Sequence, residues 1–101
     1  MKTATKKDVS DRIQKKTGEK EHVVDSVLNA AFESLREIML AADPEVRIEI
    51  REFGVFTVKA AKAKPQARNP KTGEVVAVPA HRKTHFKPGK ILKEFMKQPI
   101  K

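Results

Sequence analysis

The sequence predicts an α+β fold: two N-terminal helices, a three-stranded antiparallel sheet carrying a long β-hairpin arm, and a short C-terminal helix. Three observations predict it. Apolar residues recur every three or four positions as far as Ala42 and every second position from Val46, so the helical period gives way to the strand period across Asp43-Pro44. Between Ala60 and Pro79 no apolar side chain is larger than valine, yet the stretch holds a turn signal at Arg68-Asn69-Pro70-Lys71-Thr72-Gly73, the pattern of a hairpin without a core of its own. Finally, 101 residues make one small domain.

Lys6 to Lys16 reads as the first helix, with Thr5 as N-cap, Val9 and Ile13 one turn apart, and Gly18 as its end. The second runs from about Lys20 to Ala42, because Val23, Val24, Val27, Leu28, Ala31, Phe32, Leu35, Ile38 and Met39 keep helical spacing. Asp43-Pro44 stops it, since proline pushes the preceding residue out of helical geometry. Val46, Ile48 and Ile50 then alternate with Arg47, Glu49 and Arg51, giving a strand with one wet face. Glu52 to Gly54 is a turn and Val55 to Lys59 a second strand.

Ala60 to Ala67 and the return segment Glu74 to Pro79 cannot bury enough apolar area to fix themselves on a body. At about 3.3 Å per residue, such a hairpin projects roughly 25 Å. Its small side chains keep it slim enough for a minor groove, and Lys62 and Lys64, two apart, share a face on a regular strand. Ala80 to Phe86 resumes the sheet, Lys87-Pro88-Gly89 turns, and Lys90 to Lys97 forms the closing helix with Leu92, Phe95 and Met96 inward. The corresponding segments are 1–45 as a helical base, 46–87 as sheet with an arm over about 60–80, and 88–101 as helix and tail.

Charge sorts the function classes. The net charge is +9, but residues 1–58 carry 10 Lys and Arg against 11 Asp and Glu, whereas residues 59–101 carry 12 against 2. A balanced scaffold bearing one basic device points to a polyanionic partner. With no cysteine there is neither a disulfide framework nor thiolate chemistry. No apolar run reaches the length of a membrane span, and the basic half lacks an amphipathic helix with a broad apolar face, so no membrane partner is expected and the cytoplasm is the expected compartment.

No catalytic constellation is present: Ser10, Ser26 and Ser34 fall in helices away from an activating histidine, and the four glycines are scattered. No enzyme activity and no cofactor are expected. His81 and His85 stand four apart on a strand, about 13 Å, too far to share one metal ion. Phe53, Phe56 and Phe86 read as core rather than as stacking platforms for single-stranded bases, since no Tyr or Trp accompanies them. The tip is different. Pro70 is a rigid apolar ring bracketed by Arg68 and Lys71, which suits a wedge for a base step with cations beside the adjoining phosphates.

These residues carry a resemblance spanning Lys6 to about Met96. Phe53-Gly54-Val55-Phe56, Ala67-Arg68-Asn69-Pro70-Lys71-Thr72-Gly73 and Phe86-Lys87-Pro88-Gly89-Lys90, in that order, resemble the bacterial HU/IHF family of DNA-bending proteins. The resemblance implies an intertwined dimer whose two arms wrap double-stranded DNA through its minor groove, either as a homodimer or as a heterodimer with a paralogue. By position it makes Pro70 the intercalating wedge and Arg68 and Asn69 minor-groove and backbone contacts. Lys59, Lys62, Lys64, Lys71, Thr72, Arg82 and Lys83 fall on the arm and saddle, Lys6, Lys90 and Lys93 hold flanking phosphates, and Phe53, Phe56 and Phe86 close the dimer core. Arg47-Ile48-Glu49-Ile50-Arg51 is most similar to the β subunit of integration host factor, where the positions of Glu49 and Arg51 face DNA. Glu52 replaces the family's usual glycine, Lys20 stands where a capping serine or threonine is common, and Pro65 is atypical. The implied function is architectural DNA bending and compaction in the nucleoid; the alternative is a basic RNA-binding or ribosome-associated module.

Overall fold

The computed structural model describes residues 1–100, Ala67 through its backbone only. The chain divides into two units, Met1–Leu40 and Ala41–Lys101. In the first, α1 (Lys6–Thr17) begins at Thr5, whose N–H and hydroxyl both donate to the Asp8 carboxylate, at 2.7 and 3.2 Å. That pairing satisfies a donor which the start of a helix leaves unpaired. The helix stops at Gly18, whose φ of 74° lets its N–H return to the Gln14 carbonyl at 2.8 Å. Between α1 and α2 (Glu21–Leu40) lies a polar contact: buried Ser10 donates to Asp25 and accepts from Gln14.

The second helix ends at Leu40, short of the expected Ala42. Pro44 offers no N–H, and in a continued helix its ring would press on the Leu40 carbonyl four residues back. Its apolar residues also divide. Val24 is buried and Leu28, Leu35 and Met39 half-buried, whereas Val27, Phe32, Ile38 and Leu40 are exposed.

The second unit is built on a sheet ordered β1 (Val46–Ile50), β2 (Gly54–Ala61), β5 (His81–Pro88), antiparallel throughout. A turn from Ile50 to Phe53, closed by the Phe53 N–H on the Ile50 carbonyl at 3.0 Å, joins β1 to β2. Glu52 occupies its third position at φ 66°. Gly54 follows because a Cβ there would lie 2.6 Å from the Lys87 carbonyl and from the Phe86 ring.

Both β2 and β5 run longer than expected, pairing as far as Ala61 with His81 at one end and Gly54 with Pro88 at the other. Backbone groups make the ladder, so pairing continues past the last large side chain. The arm is a separate two-stranded sheet, β3 (Lys64–Arg68) with β4 (Val75–Val78), interrupted from the main sheet at Lys62-Ala63 and Pro79-Ala80. Its register shifts by one residue between Lys64 and Ala67. Pro65 sits in that bulge, where its missing N–H removes no ladder bond.

Gly89 turns the chain with its N–H on the Phe53 carbonyl at 2.8 Å, and α3 (Lys90–Met96) follows. Of the three residues expected inward on α3, only Leu92 is half-buried; Phe95 and Met96 are 66% and 70% exposed. Seven residues make barely two turns, too short a helix to cover several large side chains. Among the described residues, the buried apolar ones are Val24, Ala42 and Val58.

Candidate nucleic-acid interface

Side chains along a strand alternate between faces, so the ladder registers fix which residues of the main sheet stand together. Ile48, Phe56 and Phe86 are aligned on one rung, with Val46 and Val58 on the same face. Phe53, Phe56 and Phe86 gather at ring-centroid distances of 4.8 to 6.5 Å, with Phe53 and Phe86 still 48% and 39% exposed. The opposite face carries Arg47, Glu49, Thr57, Lys59, Lys83, His85 and Lys87. Lys59 is paired directly with Lys83. Two ammonium groups on one rung repel each other, and an anion laid across them removes that cost.

Among the described residues the one ion pair on this face joins Arg47 to Glu49 at 2.9 Å, both side chains about two-thirds exposed. Glu49 thus has Arg47, on its own strand and face, as its counter-ion. Arg51 lies beyond the end of β1, in the turn. Arg82 does not join Lys59 and Lys83. It pairs with Ala60 on the other face, and its Nη1 donates to the Ala42 carbonyl at 2.7 Å.

The arm tip is a loop closed from within. The Asn69 N–H donates to the Glu74 carbonyl and the Gly73 N–H to the Asn69 carbonyl, both at 2.7 Å. The Asn69 side-chain oxygen accepts the Lys71 N–H at 2.9 Å, and the Thr72 hydroxyl oxygen accepts the Glu74 N–H at 3.3 Å. Gly73 supplies the left-handed residue, at φ 75°. These bonds hold Pro70 exposed at the turn, with Arg68, Lys71 and Thr72 exposed around it. Asn69, expected as a DNA contact, is therefore also the residue that shapes the turn.

The remaining cations are dispersed. Lys62 falls in the break before β3 and Lys64 on its first rung, opposite Val78, so the two do not share one regular pleat. Lys90 and Lys93 are exposed on α3. Lys6 opens α1 in the other unit, lining a shallow pocket with Asn29 and Arg36. Sequence reasoning assigned no DNA contact to Arg47, Thr57, His81, His85 or Lys87, which stand on the cationic face; their odd-numbered parity with Lys59 and Lys83 was the available signal. Among the described residues no group of three or more His, Cys, Asp or Glu side chains could hold a metal, and no helix is long and apolar enough to cross a membrane.

The profile of the family described as bacterial DNA-binding protein matches residues 4–97. The chain is 36% identical over 93 residues to a DNA-binding protein HU of Thermotoga maritima, covering 92% of this chain and 99% of that protein. It is 41% identical over 86 residues to an integration host factor subunit beta of Tolumonas auensis, covering 84% and 91%. Among solved structures, an Anabaena HU–DNA cocrystal structure superposes with a TM-score of 0.78 at 31% identity, over 95% of this chain and all of that one.

Proposed function

Since the chain belongs to the bacterial DNA-binding protein family, within its HU and integration host factor branch, we infer that it is a non-enzymatic architectural protein that binds double-stranded DNA as a dimer and bends it. The observation that carries the mechanism is the tip: an exposed proline held by a turn with internal hydrogen bonds, at the end of a slim ribbon set off from the main sheet. Inserted at a base step, the Pro70 ring unstacks it at a cost of a few kcal/mol. The kink offsets that cost by bringing flanking duplex onto the cationic face of the sheet.

Each group then has a role. Arg68, Asn69, Lys71 and Thr72 engage groove and backbone around the wedge, and Lys62 and Lys64 follow the phosphates along the arm. Lys59 and Lys83 take a phosphate across their shared rung. Lys6, Lys90 and Lys93 hold flanking phosphates. Glu49, tied to Arg47, and Arg51 bias which sequences are accepted, together with the deformability of the DNA itself. Phe53, Phe56 and Phe86 close the dimer core, with residues 1–45 as its helical base.

The nucleoid, in the cytoplasm, is where such a protein works. Neither fold nor relatives favour the RNA-binding alternative. The test is Pro70→Ala, with fluorescence energy transfer between the ends of a labelled duplex. Bending falls while binding at low salt changes far less, because phosphate contacts supply most of the affinity. An unchanged bend overturns the wedge.

A further inference from the structure

The root of the arm is tied to the short connector between α2 and β1. β2 outruns its neighbour: the last β1 rung pairs Val46 with Val58, while β2 continues beside β5 to Ala61. Along a strand, backbone N–H groups alternate sides, so the Ala60 N–H points the same way as that of Val58, past the end of β1. Glu45 fills that place with its carboxylate, Oε2 standing 3.0 Å from the Ala60 nitrogen. On the facing strand Arg82, the rung partner of Ala60, reaches the carbonyl of buried Ala42 at 2.7 Å. Both strands are thus fastened, one by each side chain, to residues 42–45. The fastening lies one rung before the main ladder ends at Ala61 and His81.

Glu45 is out of place electrostatically. It lines a shallow pocket with Arg47, Lys59 and Lys87, on a mostly cationic face whose other carboxylate, Glu49, is tied to Arg47. A carboxylate there weakens DNA attraction, so affinity does not explain it. The hydrogen bond to Ala60 does.

We propose that Glu45 and Arg82 are positioning residues that fix the direction in which the arm leaves the sheet, and through it the bend imposed on DNA. The inference rests on the bending function above. Glu45 supplies the acceptor for the last N–H on the β1 side, and Arg82 anchors the opposite strand without touching phosphate.

The test compares Glu45→Ala, which removes the acceptor, with Glu45→Gln, which removes only the charge. In the free protein, Glu45→Ala speeds Ala60 amide exchange about fivefold, the weight of one net hydrogen bond. On a doubly labelled duplex it broadens the distribution of end-to-end distances, whereas Glu45→Gln keeps the wild-type distribution. If the two variants behave alike on DNA, Glu45 acts by charge and the inference is overturned. A bend unchanged by Glu45→Ala despite faster exchange overturns it too. Arg82→Ala supplies an independent arm: it broadens the bend while leaving the slope of log affinity against log salt unchanged. A slope reduced by about 0.9 per site would make Arg82 a phosphate contact instead. A wild-type protein that leaves the duplex straight overturns the proposed function itself, and Ala60 exchange then still reports whether the bond exists.

Discussion

Glu52 and Asp8 show how single residues set local cost. At φ 66° Glu52 occupies the left-handed region, which costs a side chain with a Cβ roughly 1–2 kcal/mol. Glycine escapes that cost but surrenders about 0.5–1 kcal/mol of unfolded-state entropy. Glu52→Gly is therefore expected to be neutral to stabilising, by up to about 1.5 kcal/mol in denaturant midpoint analysis; clear destabilisation would mean the side chain has a role in the turn. Asp8 acts through charge. Acceptance of the Thr5 N–H, then of the Thr5 hydroxyl, holds its carboxyl below the ordinary 3.8 against a smaller desolvation, with Arg12 and Lys7 adding to the effect. A depressed carboxyl stabilises the fold while ionised, so its contribution is full above about pH 4 and is lost as pH falls through the folded value. Asp8→Ala should lower the melting temperature near neutrality and converge on wild type as the pH falls below the folded-state value of the Asp8 carboxyl. A gap that persists in acid would show that the ionised cap is not the cause.

Among the elements, the sheet and arm divide the work between attraction and deformation. Lys59 and Lys83 share a rung of the cationic face, so on the proposed reading Lys59→Ala removes a phosphate partner while relieving a like-charge pair. Binding should weaken almost uniformly across sequences, and the salt slope should fall by about 0.9 for each DNA-contacting protomer. An unchanged slope would place Lys59 off the DNA. Much of this architecture was legible in the residues. The change of period at Asp43-Pro44 located the start of the first strand at Val46, though the alternation ran one residue past its end at Ile50, and Arg68 to Gly73 announced the tip. Strand ends were not legible, because the ladder uses backbone groups common to every residue. Hence β2 and β5 overran their expected ends. The face on which Arg82 stands was hidden for a related reason: it depends on register, and a slip of one residue exchanges the faces. On α3, periodicity told which residues are apolar but not whether this chain covers them, and Phe95 and Met96 stay exposed.

For the whole molecule, the question is what makes so small a core stable. Among the described residues Val24, Ala42 and Val58 are the buried apolar ones, while Val27 at 65%, Phe32 at 47%, Ile91 at 64% and Phe95 at 66% remain exposed. Fully burying side chains of this kind contributes about 1.5–3 kcal/mol each, comparable in sum to the whole stability of a domain, about 5–15 kcal/mol. A chain that leaves them in water forgoes that stability; a second chain laid over them recovers it. Both units expose such residues, α2 in one and α3 with the phenylalanine cluster in the other. Folding and pairing are therefore expected to be one event, and mass action makes the melting temperature depend on concentration. Each tenfold dilution removes about 1.4 kcal/mol of apparent stability, which for a dimer of this size lowers the melting temperature by roughly 3–5 °C. Calorimetry across a hundredfold range of concentration tests this: a transition that does not move would mean that each chain folds alone, with its apolar faces serving another purpose.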